Sequence, residues 1–150
     1  DAYKWSGIVA ATDGRLYCVP SRASTVLVID PGTQSISHIH GVGCGSSKWS
    51  GGALGPDGLI YCAPSSTSRV LVINPGNQTV GYLDGAGIGR YQWSGVSHGP
   101  DGLLYCAPYN ASSVLVIDAS RKALEHIEGA GSMECKWSGI GTGLDGRLYC

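Results

Sequence analysis

Short apolar runs alternate along the chain with polar breaks rich in glycine, and nowhere do apolar positions keep a sustained helical period. Trp5-Ser6-Gly7-Ile8-Val9-Ala10-Ala11 is small and apolar, and Asp13-Gly14 closes it. Asp-Gly between two such runs is a strong hairpin signal, because the glycine accepts a positive φ there. Arg15-Leu16-Tyr17-Cys18-Val19 forms the second strand, ended by Pro20, which cannot donate to a ladder. Thr25-Val26-Leu27-Val28-Ile29 is the third, its apolar run marking a strand buried on both faces. Asp30-Pro31-Gly32 turns the chain into Ser35-Ile36-Ser37-His38-Ile39-His40, whose alternation places one face in water.

The same order of elements returns without insertion or deletion. Trp5, Trp49, Trp93 and Trp137 are 44 residues apart, as are Cys18, Cys62, Cys106 and Cys150. A fixed period of this length marks a repeat architecture. Units of about 1–44, 45–88 and 89–132 are complete, and 133–150 supplies only two strands. Four antiparallel strands per unit of this size make the blade of a β-propeller. The expectation is a single all-β domain over 1–150, about three and a half blades of a propeller-type array. Small residues such as Gly51-Gly52-Ala53 fit the crowded innermost strand, the apolar third strand fits between blades, and the fourth forms the rim. In the third unit, Lys122–Glu128 is charged enough to pass for a short helix, but its register predicts a strand.

Trp-Ser-Gly, Pro-Asp-Gly, Ile/Leu-Tyr-Cys-Ala-Pro and Val-Leu-Val-Ile-Asp/Asn, taken together, resemble the tryptophan-serine-glycine propeller repeats of algae and protists. The likeness covers the whole chain, and extends more distantly to YVTN and NHL-type propellers. It implies the fold, and by analogy a binding or scaffold role. It carries no catalytic residue onto any position.

Composition narrows the classes of function. Charged residues are only 14% and hydrophobic residues 43%, which fits buried strands and not disorder. With net charge −1 and no basic block, the chain lacks the cationic footprint of a nucleic-acid binder. No apolar run reaches the roughly 18 residues of a membrane span. The sequence opens at Asp1 without a signal-peptide pattern and stops at Cys150 inside a run that earlier units continue. A segment of a longer propeller is therefore expected first, and an oligomer or an open arc held by a partner second.

Cysteines one per blade lack the close spacing of metal ligands, so Cys18, Cys62, Cys106 and Cys150 are expected to be small buried hydrophobes. Cys44 and Cys135 break the repeat and lie in loops, as free thiols or links to another chain. No metal, cofactor or catalytic set is assigned. Each tryptophan is expected to pack between blades; the competing reading makes Trp5, Trp49, Trp93 and Trp137 a ring of aromatic sugar platforms. Positions that differ between units are better places to look for function. His98 stands where other units carry Ala10, Leu54 and Thr142, and Tyr91 and Tyr109 lie in loops. Asn77-Gln78-Thr79 and Asn110-Ala111-Ser112 match the glycosylation sequon, which tilts localisation toward secretion or a lumen.

The functional expectation is a non-catalytic scaffold or accessory subunit. It would present loops 21–25, 65–69 and 109–113 to a protein partner or larger complex. A lectin-like carbohydrate module is the alternative, and a fragment of a propeller enzyme the weaker one.

Overall fold

The computed structural model describes residues 2–150; Asp1 lies outside them. Three four-stranded antiparallel sheets follow one another, each with its strands in chain order. The first holds β1 (Trp5–Ala10), β2 (Leu16–Pro20), β3 (Val26–Asp30) and β4 (Ser35–Ile39). The second holds β5 (Trp49–Leu54), β6 (Ile60–Pro64), β7 (Arg69–Asn74) and β8 (Thr79–Asp84). The third holds β9 (Trp93–His98), β10 (Leu104–Pro108), β11 (Ser113–Asp118) and β12 (Ala123–Glu128). Only β13 (Gly141–Thr142) and β14 (Leu148–Tyr149) pair in the last unit. The charged run in the third unit is a strand, with Ser113 to Asp118 matched residue by residue against Glu128 to Ala123. Among the described residues there is no helix, and so none long and apolar enough to cross a membrane.

The period-2 rule explains why the middle strands are apolar throughout. On β6 and β7, Ile60, Cys62, Leu71 and Ile73 point into a core shared with Val9, Tyr17, Val19, Val26 and Val28 of the first sheet. Their neighbours Tyr61, Ala63 and Val70 point the other way, into a second core with Leu104, Cys106, Leu115 and Ile117. A sheet covered on both faces needs apolar side chains at consecutive positions. The second strand is the most deeply covered of the four: every residue of β6 is buried, while β7 begins exposed at Arg69. Sequence reading put that emphasis on the third strand. The difference arises because the second strand pairs with the innermost one, where sheets lie closest.

Innermost strands lie side by side through glycine. A Cβ built on Gly7 would sit 3.1 Å from Cα of Gly51, one on Gly51 2.9 Å from Cα of Gly95, and one on Gly95 3.1 Å from Cα of Gly139. All four have positive φ, between 76° and 118°. Register slips at the same place, between Trp5 and Ile8 and between Trp49 and Gly52. Trp-Ser-Gly thus encodes a β-bulge whose glycine lets backbones touch.

Cys18, Cys62 and Cys106 are buried, and none of the six cysteines is in a disulfide. Burial pushes the Cys62 and Cys106 thiols far above their ordinary range, as suits inert hydrophobes. Cys150 departs from the expectation and is exposed, because no third strand covers β14.

Candidate functional site

Antiparallel pairing sends the two kinds of connection to opposite faces. One face collects the Asp-Gly turns and the turns between third and fourth strands. The other collects the loops after the second strand and the segments leading to each tryptophan.

On the turn face each aspartate does more than close a hairpin. Asp57 accepts the Leu59 N–H at 3.2 Å on one oxygen and the Tyr61 hydroxyl at 2.7 Å on the other. Asp13–Tyr17, Asp101–Tyr105 and Asp145–Tyr149 repeat the arrangement at 2.7, 2.5 and 2.9 Å. The following sheet then reaches back. Gln78 donates to the Tyr17 hydroxyl at 2.7 Å, and Lys122 donates to the Tyr61 hydroxyl at 2.5 Å and to the Asp57 carboxylate. Burial, followed by the Asp57 hydrogen bond and charge against the lowering effect of Lys122, holds the Tyr61 phenol up at about 12. Tyr105 reaches about 12 chiefly through its bond to Asp101. Burial works to raise Asp57, but the bonds from Lys122 and Tyr61 outweigh it and hold the carboxyl below 3.8. These groups are spent on joining blades.

His98 belongs to this end too, because it closes β9 at the opposite end from Trp93. Its ring Nε2 contacts the Leu54 carbonyl oxygen of the preceding inner strand. Asn77 lies in the β7–β8 turn and accepts the Thr79 hydroxyl at 2.6 Å.

The loop face is bound by a continuous belt of backbone hydrogen bonds. Ser21 N–H donates to Lys4 O (2.9 Å), Lys48 to Ser21 O (3.0 Å), Ser65 to Lys48 O (2.8 Å) and Gln92 to Ser65 O (2.8 Å). Tyr109 N–H continues it to Gln92 O (2.8 Å), and Lys136 N–H to Tyr109 O (2.9 Å). The belt presses the loop after each second strand against the residue preceding the next tryptophan. Lys48 is itself buried, its ammonium donating to Ser21 O, Ala23 O and Gly45 O at 3.2, 2.9 and 3.3 Å.

The tryptophans anchor their own sheets. The indole N–H of Trp5 donates to Thr25 O at 3.0 Å, that of Trp49 to Arg69 O at 2.8 Å, and that of Trp93 to Ser113 O at 2.9 Å. Trp49 and Trp93 are only 2% exposed, so neither ring offers an open platform. Trp5 is half-buried and Trp137 is 36% exposed.

Where the second, third and last units meet, the loop face sinks into a hollow of about 390 Å³. Tyr91, Trp93, Tyr109, Asn110, Glu134 and Cys135 contribute to its wall. Five of the residues singled out in the sequence, Tyr91, Trp93, Tyr109, Asn110 and Cys135, therefore meet; His98, Asn77, Trp5, Trp49 and Trp137 lie elsewhere. Asn110 is the clasp. Its carboxamide donates to Arg90 O at 3.0 Å and accepts the Cys135 N–H at 2.9 Å. Tyr91 and Cys135 both turn with left-handed backbone, at φ 53° and 54°. The neighbouring Cys135 thiol raises the Tyr109 phenol above its ordinary value. Glu134 was not foreseen. Its signal was available, since it stands where the preceding unit carries Arg90. Among the described residues, no three His, Cys, Asp or Glu side chains gather as metal ligands would.

No protein-family model matches the chain. No curated protein matches it either. Solved structures do. A hydrazine synthase of Kuenenia stuttgartiensis aligns over 99% of this chain and 42% of its own, with TM-score 0.72 and 21% identity. The virginiamycin B lyase of Staphylococcus aureus aligns over 94% of this chain and 46% of its own, with TM-score 0.77 and 19% identity. A streptogramin B lyase aligns over 97% and 61%, with TM-score 0.56 and 17% identity. The fold is a partial β-propeller. This propeller segment spans less than two thirds of each neighbour's length, and at such identities the likeness concerns fold alone.

Proposed function

We propose that this propeller segment, of the tryptophan-serine-glycine class, is a non-catalytic interaction module that receives a protein partner on its loop face. One observation carries the reading. The loop positions that are Ser47, Ser65 and Ser66 in one unit become Tyr91, Tyr109 and Asn110 in the next, and the three replacements ring a single hollow. Of the three replacements, Asn110 braces the wall through Arg90 O and Cys135 N–H, and the Tyr91 and Tyr109 rings are left for another task. Tyrosine suits it, giving contact area with a polar tip and few rotors to order. The carbohydrate alternative keeps Tyr91, Tyr109 and the partly exposed Trp5 and Trp137, but loses the Trp49 and Trp93 rings, which are buried. The enzyme alternative would need acid and base groups left unengaged, whereas the turn-face carboxylates are tied to tyrosines and backbone.

A photo-crosslinking amino acid placed at Ser112, on the loop face, or at Thr33, on the turn face, tests this in extracts of the source cell. Both positions are exposed. The expected result is a discrete protein adduct from position 112 and none from 33. Equal adducts from both faces, or none from position 112, would contradict it.

A further inference from the structure

We infer that the hollow where the second, third and last units meet takes an arginine side chain of that protein partner; the inference rests on the interaction reading above. A hollow of about 390 Å³ exceeds one side chain and admits a short peptide segment. Its wall offers two phenol rings, Tyr91 and Tyr109, and one charged side chain, Glu134. Glu134 takes part in no ion pair among the described residues. Aromatic rings beside an unpaired carboxylate suit a guanidinium, whose plane stacks on a ring while its fork meets the carboxylate. An ammonium supplies the charge without the plane or the fork.

Comparison between units sharpens the chemistry. One unit earlier, the positions of Tyr91, Tyr109, Asn110, Glu134 and Cys135 are held by Ser47, Ser65, Ser66, Arg90 and Tyr91. One ring replaces two, and the charge has the opposite sign. The earlier junction repels the cation that this one attracts, which fixes where on the propeller the partner sits. The wall is also set in advance. Asn110 spends both ends of its carboxamide on Arg90 O and Cys135 N–H, so the loop bearing Glu134 is held before any ligand arrives. A neutral sugar would leave the charge inversion between junctions without a role, and it would find the Asn110 amide already engaged.

The test uses the chain as it stands against immobilised nine-residue peptides of randomised sequence, with a fixed central arginine, lysine or citrulline, alongside a glycan array. Arginine peptides are expected to bind at least tenfold better than citrulline peptides, which keep the shape and lose the charge. Glu134→Gln should lower that binding at least tenfold, Glu134→Arg should abolish it, and Tyr109→Ser should weaken it several-fold. Glu134→Arg and Tyr109→Ser install residues that the repeat already carries at those places, Arg90 and Ser65, so both variants are expected to fold; unchanged thermal melts check this. Silence of the arginine peptides, equal binding of arginine and citrulline, indifference to Glu134→Gln, or glycan binding lost in Tyr109→Ser would each overturn the inference. If the crosslink from position 112 survives Glu134→Arg, the arginine site falls while the partner reading stands; if that crosslink never forms, the partner reading fails first.

Discussion

Gly51 lies so close to Gly95 that a methyl group on the first would fall 2.9 Å from the Cα of the second. The neighbour on that side is backbone, which cannot rotate away. Gly51 also has φ +76°, a conformation that costs a side chain roughly 1–3 kcal/mol. Gly51→Ala therefore meets strain and overlap together, and should destabilise the fold by on the order of 2–5 kcal/mol. Gly58 provides the control, with φ +78° but nothing within 4 Å of the added methyl. Gly58→Ala should cost only the strain. Urea denaturation of both variants decides it; equal losses would mean that blade contact at the axis is looser than the backbone indicates.

Asp57 gives the fold an acid-sensitive joint. Its folded carboxyl lies below 3.8, where the unfolded one titrates, despite the opposing effect of burial. A depressed acid adds stability above the unfolded value and loses it as pH falls through the folded value. Asp57→Asn should lower Tm at pH 7, where the amide no longer balances the Lys122 charge. The difference from wild type should shrink steadily below about pH 4 and vanish once the native carboxyl is protonated. The magnitude is modest, about 1 kcal/mol, because Lys122 is 44% exposed and water screens the pair. A gap in Tm that is constant from pH 7 to pH 2 would show that the ion pair contributes nothing. The alkaline side has the opposite sign: Tyr61, raised to about 12, stabilises the fold fully below its unfolded value near 10 and progressively less as pH climbs through 12.

How far these features can be read from residues depends on the distance over which they act. Blade strands were legible, because period-2 burial and the Asp-Gly turns are local. In the first unit boundaries moved by only a residue: β2 runs Leu16–Pro20 and includes the proline as its last position, where no further ladder donor is needed; in the last unit the strand expected from Trp137 is only Gly141–Thr142. The Asp57–Tyr61 bond was half legible. Both residues recur with the 44-residue step, but only the hairpin shows that a hydroxyl four positions on folds back onto the carboxylate. Lys122 over Tyr61 was beyond reach, since it depends on the angle between sheets 61 residues apart in sequence. The hollow fell between these cases. Tyr91 and Tyr109 stood out as loop tyrosines, yet their meeting with Glu134 follows from the backbone belt joining Gln92, Tyr109 and Lys136.

The indole N–H bonds predict unequal roles for identical residues. Trp49 is buried and donates to Arg69 O at 2.8 Å. Trp49→Phe keeps most of the apolar bulk and leaves that carbonyl without its donor, so a loss of about 1–3 kcal/mol is expected. Trp137 is 36% exposed and has no carbonyl partner among the described residues. Trp137→Phe should change stability by less than about 0.5 kcal/mol. Chemical denaturation followed by circular dichroism separates them, and a Trp137 effect as large as that of Trp49 would refute the assignment.

Lys48 supplies the last and strongest contrast. It is 6% exposed, and its ammonium is held by three carbonyl oxygens from two loops. Burial lowers its pKa against the weaker raising effect of Cys44, so the charge is retained at a cost that the carbonyls offset. Lys48→Met preserves the stem and strips the donors, leaving Ser21 O and Ala23 O short of partners at a junction that Ser21 also bridges through the belt. The expected loss is on the order of 2–4 kcal/mol, concentrated at the first junction. The third unit already carries Gln92 at this position, so Lys48→Gln restores a donor and should recover part of the loss. Amide hydrogen exchange localises the effect: Lys48→Met should speed exchange at Ser21, at Ser65 and at the substituted position itself, and leave Tyr109 and Lys136 as slow as in wild type. Uniform acceleration along the whole belt would show instead that the units unfold as one body, and that no junction can be weakened by itself.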